Sequence, residues 1–305
     1  MWYNVGRVID MEKLMMIINP AAGRGGYKQG LPEALKLLSD AGCAVSLFFT
    51  QHRAHATELA AGHAAEFDKL LVLGGDGTLA EVIAGLMTLD DRPPVGYIPI
   101  GTANDIARTL GLVKNDILGG ARRFLNGKPM PFDVGRHDGG YFNYVAAFGA
   151  FTEVSYATPQ DAKRSLGQAA YLIGAAKSLG SLKPRHVHVE YDGGELDGEF
   201  LYGGLSNSYS VGGTVALPRD IVDLGDGLHE LILVRKLPSA ASFLPLAAQV
   251  VVAHDFSNEN IIILQTGHAK FTFDEPETWS FDGEDGGAHL ELTFETCPQA
   301  IEIIC

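Results

Sequence analysis

Residues Leu71 to Leu79 read LVLGGDGTL, and their types suit the handling of phosphate. An apolar run from Leu70 to Leu73 breaks into Gly74-Gly75-Asp76-Gly77-Thr78, and the helical pattern LAEVIAGLM follows. This spacing predicts a buried parallel strand, a tight turn and a helix start. Three glycines let the backbone approach a ligand and take conformations that a side chain would forbid. N–H groups at the helix start, with the positive end of its dipole, make an anion site. Asp76 would repel a phosphate there unless a divalent cation lies between them. Taken alone, GGDG also reads as a plain glycine turn with Asp76 as a helix cap.

Two further loops have the same character. Val95 to Ile100 is strand-like and runs into Gly101-Thr102-Ala103-Asn104-Asp105. Gly101 allows a turn, Thr102 is placed to cap the next helix, and Asn104 and Asp105 bring polar groups to its first turn. Leu14 to Ile18 is an apolar strand that ends in Asn19-Pro20-Ala21-Ala22-Gly23-Arg24-Gly25-Gly26. Loops at the carboxyl ends of parallel strands converge on one crevice in open α/β sheets. Three loops of Gly, Asn, Thr and Asp suit a polyphosphate and its metal. No Gly-Lys-Ser/Thr follows any of them, and none has the dinucleotide-binding spacing.

The trio NPAAGRG, GGDGTLAEVIAGL and PIGTANDIARTLG resembles the diacylglycerol kinase catalytic-domain family, which includes bacterial diacylglycerol kinase-like and phosphatidylglycerol kinase-like lipid kinases and is related to sphingosine kinases. Asp223-Leu-Gly-Asp226-Gly227-Leu228 is similar to the family's aspartate-rich metal loop, and Phe281-Asp282-Gly283-Glu284 to its late DGE motif. The resemblance implies ATP and Mg2+ as cofactors and a lipid hydroxyl as acceptor. It also implies an N-terminal domain like that of NAD kinase and phosphofructokinase, and a site in the crevice between two domains. Asn19, Thr78, Thr102, Gly101 and Asn104 would lie around the nucleotide, with backbone from Gly74, Gly75 and Gly77. Asp76 would belong to a carboxylate–water–magnesium network, and Asp133 matches a carboxylate of the same network. Asp282 would be the general base for the lipid hydroxyl, with Glu284 beside it on the nucleotide or metal side. Asp282-Gly283 is also a good hairpin turn. Asp223, Asp226 and the carbonyl of Leu228 would hold a structural magnesium ion, and two carboxylates with a carbonyl suit a hard cation. Many bacterial relatives carry a further Asp where this chain has Gly225.

The elements that must position these residues fall into two parts. Residues 1–131 alternate strands near Leu14–Ile18, Ala44–Phe49, Leu70–Leu73 and Val95–Ile98 with helical stretches near Tyr27–Ala41, His55–Glu66, Leu79–Leu89, Asp105–Leu110 and Asn115–Asn126. That pattern predicts an α/β domain with a doubly wound parallel sheet. Residues 132–305 carry short strand candidates, among them His289–Phe294, with Asp-Gly turns. They predict an antiparallel β-rich second domain, interrupted by helices near Lys163–Leu179 and Ser239–His254.

The 305 residues carry 37 acidic and 23 basic side chains, a net charge of −14. This excludes nucleic acid as a partner and disfavours polybasic docking on anionic lipid. Three scattered cysteines fit a reducing, cytoplasmic compartment. No transmembrane segment is expected, because the most apolar stretch, Ala240–Ala253, contains Pro245 and Gln249 and is too short to span a bilayer. The reading is therefore a cytoplasmic enzyme that meets a lipid substrate transiently at a membrane surface, with a homodimer allowed. Arg24, Lys28, Arg108 and Lys163 are candidates to offset phosphate charge. Two alternatives stay open: an NAD kinase-like enzyme, although no Gly-Ser-Thr-Ala-Tyr-type segment is present, and a non-catalytic lipid- or nucleotide-binding protein on the same fold.

Overall fold

The structure, a computed structural model, describes residues 11–149, 183–211, 215–239 and 242–305. The chain divides into two compact units, Met1–Pro131 with Ile301–Cys305, and Phe132–Ala300.

The first unit alternates β1 (Glu12–Ile18), α1 (Leu31–Asp40), β2 (Cys43–Phe49), α2 (His55–His63), β3 (Lys69–Gly74), α3 (Asp76–Leu86), β4 (Val95–Pro99), α4 (Asp105–Thr109) and α5 (Ile117–Asn126). β1 pairs in parallel with β2 and with β3, and β3 pairs in parallel with β4. Leu14–Ile18 and Leu70–Leu73 are buried at every position. Continuous burial is what a parallel strand covered on both faces requires. Leu14, Met16, Ile18, Leu71 and Leu73 join Ala34 and Leu38 of α1 and Ala121 and Phe124 of α5 in one cluster. Met15, Ile17 and Val72 alternate with these and are buried too.

Two helix boundaries depart from the sequence expectation. The helix expected from Tyr27 begins at Leu31, because Ala22–Lys28 forms a 3-10 turn and Gly30, at φ 83°, leads into a first turn that contains a proline. Glycine tolerates that left-handed angle, and proline suits a first turn whose N–H groups lack helical partners. α3 begins at Asp76 rather than Leu79, so the motif carboxylate is the first residue of the helix.

The second part contains β5 (Pro129–His137), β6 (Gly140–Phe142), β7 (Val145–Gly149), β8 (Arg185–Tyr191), β9 (Gly194–Ser206), β10 (Ser210–Val211), β11 (Val215–Ala216), β12 (His229–Arg235), α6 (Phe243–Val251), β13 (Ile261–Thr266), β14 (His268–Phe281) and β15 (Glu284–Ile304). Its pairings are antiparallel: β7 with β9 and β14, β8 with β9 and β14, β12 with β9 and β13, β14 with β15. Asp138-Gly139, Asp192-Gly193 and Asp282-Gly283 each close a two-residue hairpin. The core is aromatic. Phe148, Phe271, Trp279 and Phe294 are fully buried or nearly so, with ring centroids 5.0 to 6.0 Å apart in edge and tilted contacts. Such contacts add stability beyond the area buried.

The end of the chain corrects a second expectation. The strand expected at His289–Phe294 is part of a 21-residue strand. Its last residues leave the β-rich unit, and Ile303 and Ile304 pair in parallel with Val95 and Gly96 of β4. Ile301, Ile303 and Ile304 are buried there. The helix expected at Lys163–Leu179 lies outside the described residues.

Candidate active site

In the first unit the three glycine-rich loops touch one another. Asn19, just after β1, donates from Nδ2 to Thr78 Oγ1 at 2.9 Å, and its Oδ1 accepts the Ala21 N–H at 3.0 Å. The N–H groups of Ile100 and Gly101 both reach the Gly74 carbonyl, at 2.8 and 3.1 Å. A Cβ on Gly101 would lie 2.4 Å from the Gly75 Cα, and one on Gly23 would lie 2.2 Å from the Ile100 carbonyl oxygen. Backbone packs on backbone at these points, and only glycine allows it. The expectation of forbidden dihedrals is not met. Gly74, Gly75 and Gly77 all lack positive φ, and Gly75 is extended at φ −99°. These glycines answer to close approach instead.

Asp76 is buried, and its Oδ2 accepts the Asp105 N–H at 2.9 Å. The carboxylate thus ties the start of α3 to the start of α4. Asn104, not Thr102, holds the position before α4, with φ 57°. Its side chain turns back into its own loop, donating to the Gly101 carbonyl at 2.9 Å and accepting from Tyr97 at 3.3 Å. Thr102 is exposed, and its carbonyl accepts Lys114 Nζ at 2.9 Å. Asp105 faces Arg108 at 3.4 Å, so one candidate cation is engaged by a neighbouring acid. Lys28 lies near the Tyr27 ring. Lys163 and the Arg24 side chain are outside the described set.

Two residues of this unit escaped the sequence reading. Tyr97 lies among Gly74, Asn104 and Asp76, and burial, reinforced by Asp76 and Asp105, holds its phenol far above the usual range. Thr50 ends the β2 loop and is buried, with its N–H on the Ile18 carbonyl beside Asn19. Strand periodicity marks Tyr97 as core and gives no sign of its hydroxyl's partners.

In the second unit, Asp133 of β5 is wholly buried. Its Oδ2 accepts Gly227 N–H and its Oδ1 accepts Gln299 N–H, both at 2.6 Å, and its own N–H reaches the Leu224 carbonyl at 2.7 Å. Burial raises its pKa; the two N–H donors oppose that, and Asp226 and Asp223 add to it. Asp133 therefore clamps the loop that carries Asp223 and Asp226. Gln299 helps, donating to the Gly225 carbonyl at 3.0 Å. Asp223 and Asp226 each fold a turn, accepting the N–H of Gly225 at 3.1 Å and of Leu228 at 2.9 Å. Glu230 is buried close by without a hydrogen-bond partner for either oxygen. Burial pushes its carboxyl up to about 8, against a lowering by its own backbone and by the nearby Gln265 side chain, and Asp226 and Asp223 add to the rise.

Asp282 and Gly283 have φ 50° and 81°, the two left-handed positions of a tight hairpin. Asp282 Oδ2 accepts Asn143 N–H at 2.7 Å and Asn143 Nδ2 at 2.8 Å, and Oδ1 accepts Tyr144 N–H at 2.9 Å and Val145 N–H at 3.1 Å. A carboxylate offers about four lone-pair sites, and all are used. Burial nonetheless leaves its pKa raised, against the lowering by these donors. The turn reading of Asp282-Gly283 is realised in full. Glu284 follows as an exposed residue at the start of β15.

Among the described residues, one trio of metal-capable side chains has ligating atoms within 4.8 Å of one another: His52, His55 and Glu58. His55 Nδ1 accepts the Gln51 N–H at 3.0 Å, which leaves the proton of a neutral ring on Nε2. That ring offers no lone pair to a metal.

The chain's similarities agree with this arrangement. Residues 13–137 match the family model described as diacylglycerol kinase catalytic domain, and residues 145–305 match the YegS C-terminal NAD kinase beta sandwich-like domain. The diacylglycerol kinase of Bacillus subtilis (strain 168) is 37% identical over 278 residues, 91% of this chain and 91% of that one. A diacylglycerol kinase of Staphylococcus epidermidis is 34% identical over 295 residues, 96% of this chain and 92% of its own. A crystal structure of a diacylglycerol kinase from Bacillus anthracis str. Sterne has the same fold, with a TM-score of 0.75, 22% identity and 97% of each chain covered. The chain belongs to the diacylglycerol kinase family.

Proposed function

We propose that this chain is an ATP-dependent lipid kinase that transfers the γ-phosphoryl group to a lipid hydroxyl, with diacylglycerol as the acceptor class named for its relatives. The observation that carries the reading is the joining of three glycine-rich loops through Asn19 and Thr78, Gly75 and Gly101, and Asp76 and Asp105. Phosphoryl transfer asks a protein mainly for positioning and charge compensation. Residues 1–131 hold the nucleotide on a doubly wound sheet of NAD kinase/phosphofructokinase type, and the parallel pairing of β1 to β4 supports this. Backbone at Gly74, Gly75, Gly77 and Gly101 approaches the phosphates, and Asn19, Thr78, Thr102 and Asn104 shape the pocket around them.

The lipid hydroxyl oxygen attacks the γ-phosphorus, the bond to the β,γ-bridging oxygen breaks, and the hydroxyl proton passes to a carboxylate. Asp282 can take that proton only by giving up one of its four hydrogen bonds. Glu284, exposed two residues on, is the second candidate acceptor, and Glu284→Gln compared with Asp282→Asn separates the two. Magnesium, when bound, neutralises phosphate charge. Asp223, Asp226 and the Leu228 carbonyl would hold a structural ion, since all are hard oxygen donors and the buried acceptor Glu230 lies near them. Asp76 belongs to the network on the nucleotide side.

Among the described residues no helix is long and apolar enough to cross a membrane. We place the reaction at the surface of a membrane that the chain meets transiently, because that is where the acceptor is found. Transfer of radiolabelled phosphate from ATP to diacylglycerol, phosphatidylglycerol, a sphingoid base and NAD tests the reading. Label in NAD alone would make it an NAD kinase, and label in none would make it a binding protein.

A further inference from the structure

β12 alternates its side chains between two faces. Leu231 and Leu233 enter the aromatic core, so Glu230 points to the opposite face. There it is paired with Ser206 of β9 and Gln265 of β13. The Gln265 amide donates to the Ile221 carbonyl at 3.0 Å and to Asp226 Oδ2 at 3.4 Å, so one side chain separates Glu230 from Asp226. Asn207 follows Ser206 and donates from Nδ2 to the carbonyls of Asp133 and Leu224, at 2.9 and 3.4 Å. Glu230 and Asn207 are each 1% exposed. Both Glu230 oxygens and Asn207 Oδ1 are buried without a hydrogen-bond partner.

With Glu230 ionised, as it would be beside a cation, these three orphans are all acceptors, and they border the loop that carries Asp223 and Asp226. A buried acceptor without a donor is costly, and native proteins rarely leave one so. Adding carboxylates cannot satisfy them. Water held on a cation can, because magnesium keeps several waters when it binds to one or two carboxylates. The Gln265 side chain lies between Glu230 and Asp226, so Glu230 reaches the ion through water and not directly.

We infer that Glu230 and Asn207 accept hydrogen bonds from the waters of a divalent cation at Asp223, Asp226 and the Leu228 carbonyl, and so fix its hydration and its affinity. The inference rests on the structural magnesium site proposed above. Titration calorimetry of the full chain with magnesium chloride, without nucleotide or lipid, tests it. Partners of this outer kind change metal affinity by about 10- to 100-fold when removed. Glu230→Gln keeps the shape and is expected to raise the magnesium dissociation constant by roughly tenfold or more, while the melting temperature in chelator stays level or rises. Glu230→Asp, which keeps the charge but shortens the reach, is expected to fall between, and it serves if the amide variant does not fold. In an Asp226→Ala background the Glu230→Gln effect should vanish. If Asp226→Ala loses magnesium and Glu230→Gln keeps wild-type affinity, the site stands and the role of Glu230 is overturned. If the wild type takes up no magnesium, both fall.

Discussion

Asp282→Asn separates two roles that one carboxylate has been asked to fill. In the folded chain its oxygens accept two N–H groups each, from Asn143, Tyr144 and Val145. The amide can present its oxygen to one pair and must present its NH2 to the other, donor against donor. Hydrogen bonds to a charged group contribute about 1.5–3 kcal/mol each. Two lost bonds, partly recovered by relaxation, give an expected destabilisation of about 2–4 kcal/mol. For a unit of this size that is a fall in melting temperature of roughly 5–15 °C. A general base contributes typically about 10²–10⁴-fold to turnover. The assay is calorimetric melting, paired with kcat for ATP and diacylglycerol in mixed micelles well below the lower melting point, and nucleotide affinity as a control. We expect the melting temperature to drop in Asp282→Asn and to hold in Glu284→Gln. A melting temperature unchanged within about 1 °C would refute the anchoring argument, given the bond strengths above. If the folded variant keeps more than roughly a tenth of wild-type kcat, Asp282 is not the base.

Other expectations follow from single contacts. Gly101→Ala places a Cβ 2.4 Å from the Gly75 Cα and 2.8 Å from Asn104 Oδ1, so it should weaken ATP binding at least tenfold by the ~1.4 kcal/mol measure of strained packing; Gly75→Val, whose Cβ meets Gly101 at 3.3 Å with ordinary backbone angles, should weaken it less, and unchanged affinity in both folded variants would remove this contact from the site. His229 is buried with a pKa near 3 because of that burial. Between about pH 6.5 and 3 the unfolded chain therefore binds a proton that the folded chain does not, and stability should fall as pH drops through this window by up to about 1.4 kcal/mol per pH unit. His229→Gln should flatten that slope, and an equal slope in both proteins would show that other groups set it. Magnesium should raise the melting temperature of the wild type, and Asp226→Ala should remove most of the rise. Gly225 is not left-handed, so Gly225→Asp fits without backbone strain. It should raise activity or lower the magnesium needed, and an unchanged magnesium dependence would show that position 225 is not limiting.

What the sequence disclosed and what it hid follow from the range of the forces involved. The strand Leu70–Leu73 and the turn after it were legible because burial on both faces writes a continuous apolar run, and glycines mark close backbone approach. The tight hairpins at Asp138, Asp192 and Asp282 were legible because Asp-Gly between strand-like runs is a strong local turn signal, although of the three dipeptides only Asp282-Gly283 takes left-handed angles. The last stretch of β15 was not. Pro298 and the polar residues around it give no strand signal, and the pairing of Ile303 with Val95 joins residues far apart in the chain. The same limit governs the candidate site. Spacing placed Asp76, Asn104 and Asp282 in motifs, but only their partners show that each holds backbone in place: Asp76 on the Asp105 N–H, Asn104 on the Gly101 carbonyl, Asp282 on β7. Glu230 and Tyr97 carry no motif at all, and their strands read as ordinary core. A polar atom in such a strand differs from its neighbours only in what it meets across the fold, which no local pattern records. The chemistry of this chain therefore divides between loops that the sequence announces and buried polar groups that hold those loops. Mutations in the second class are the ones that test the geometry rather than the family resemblance.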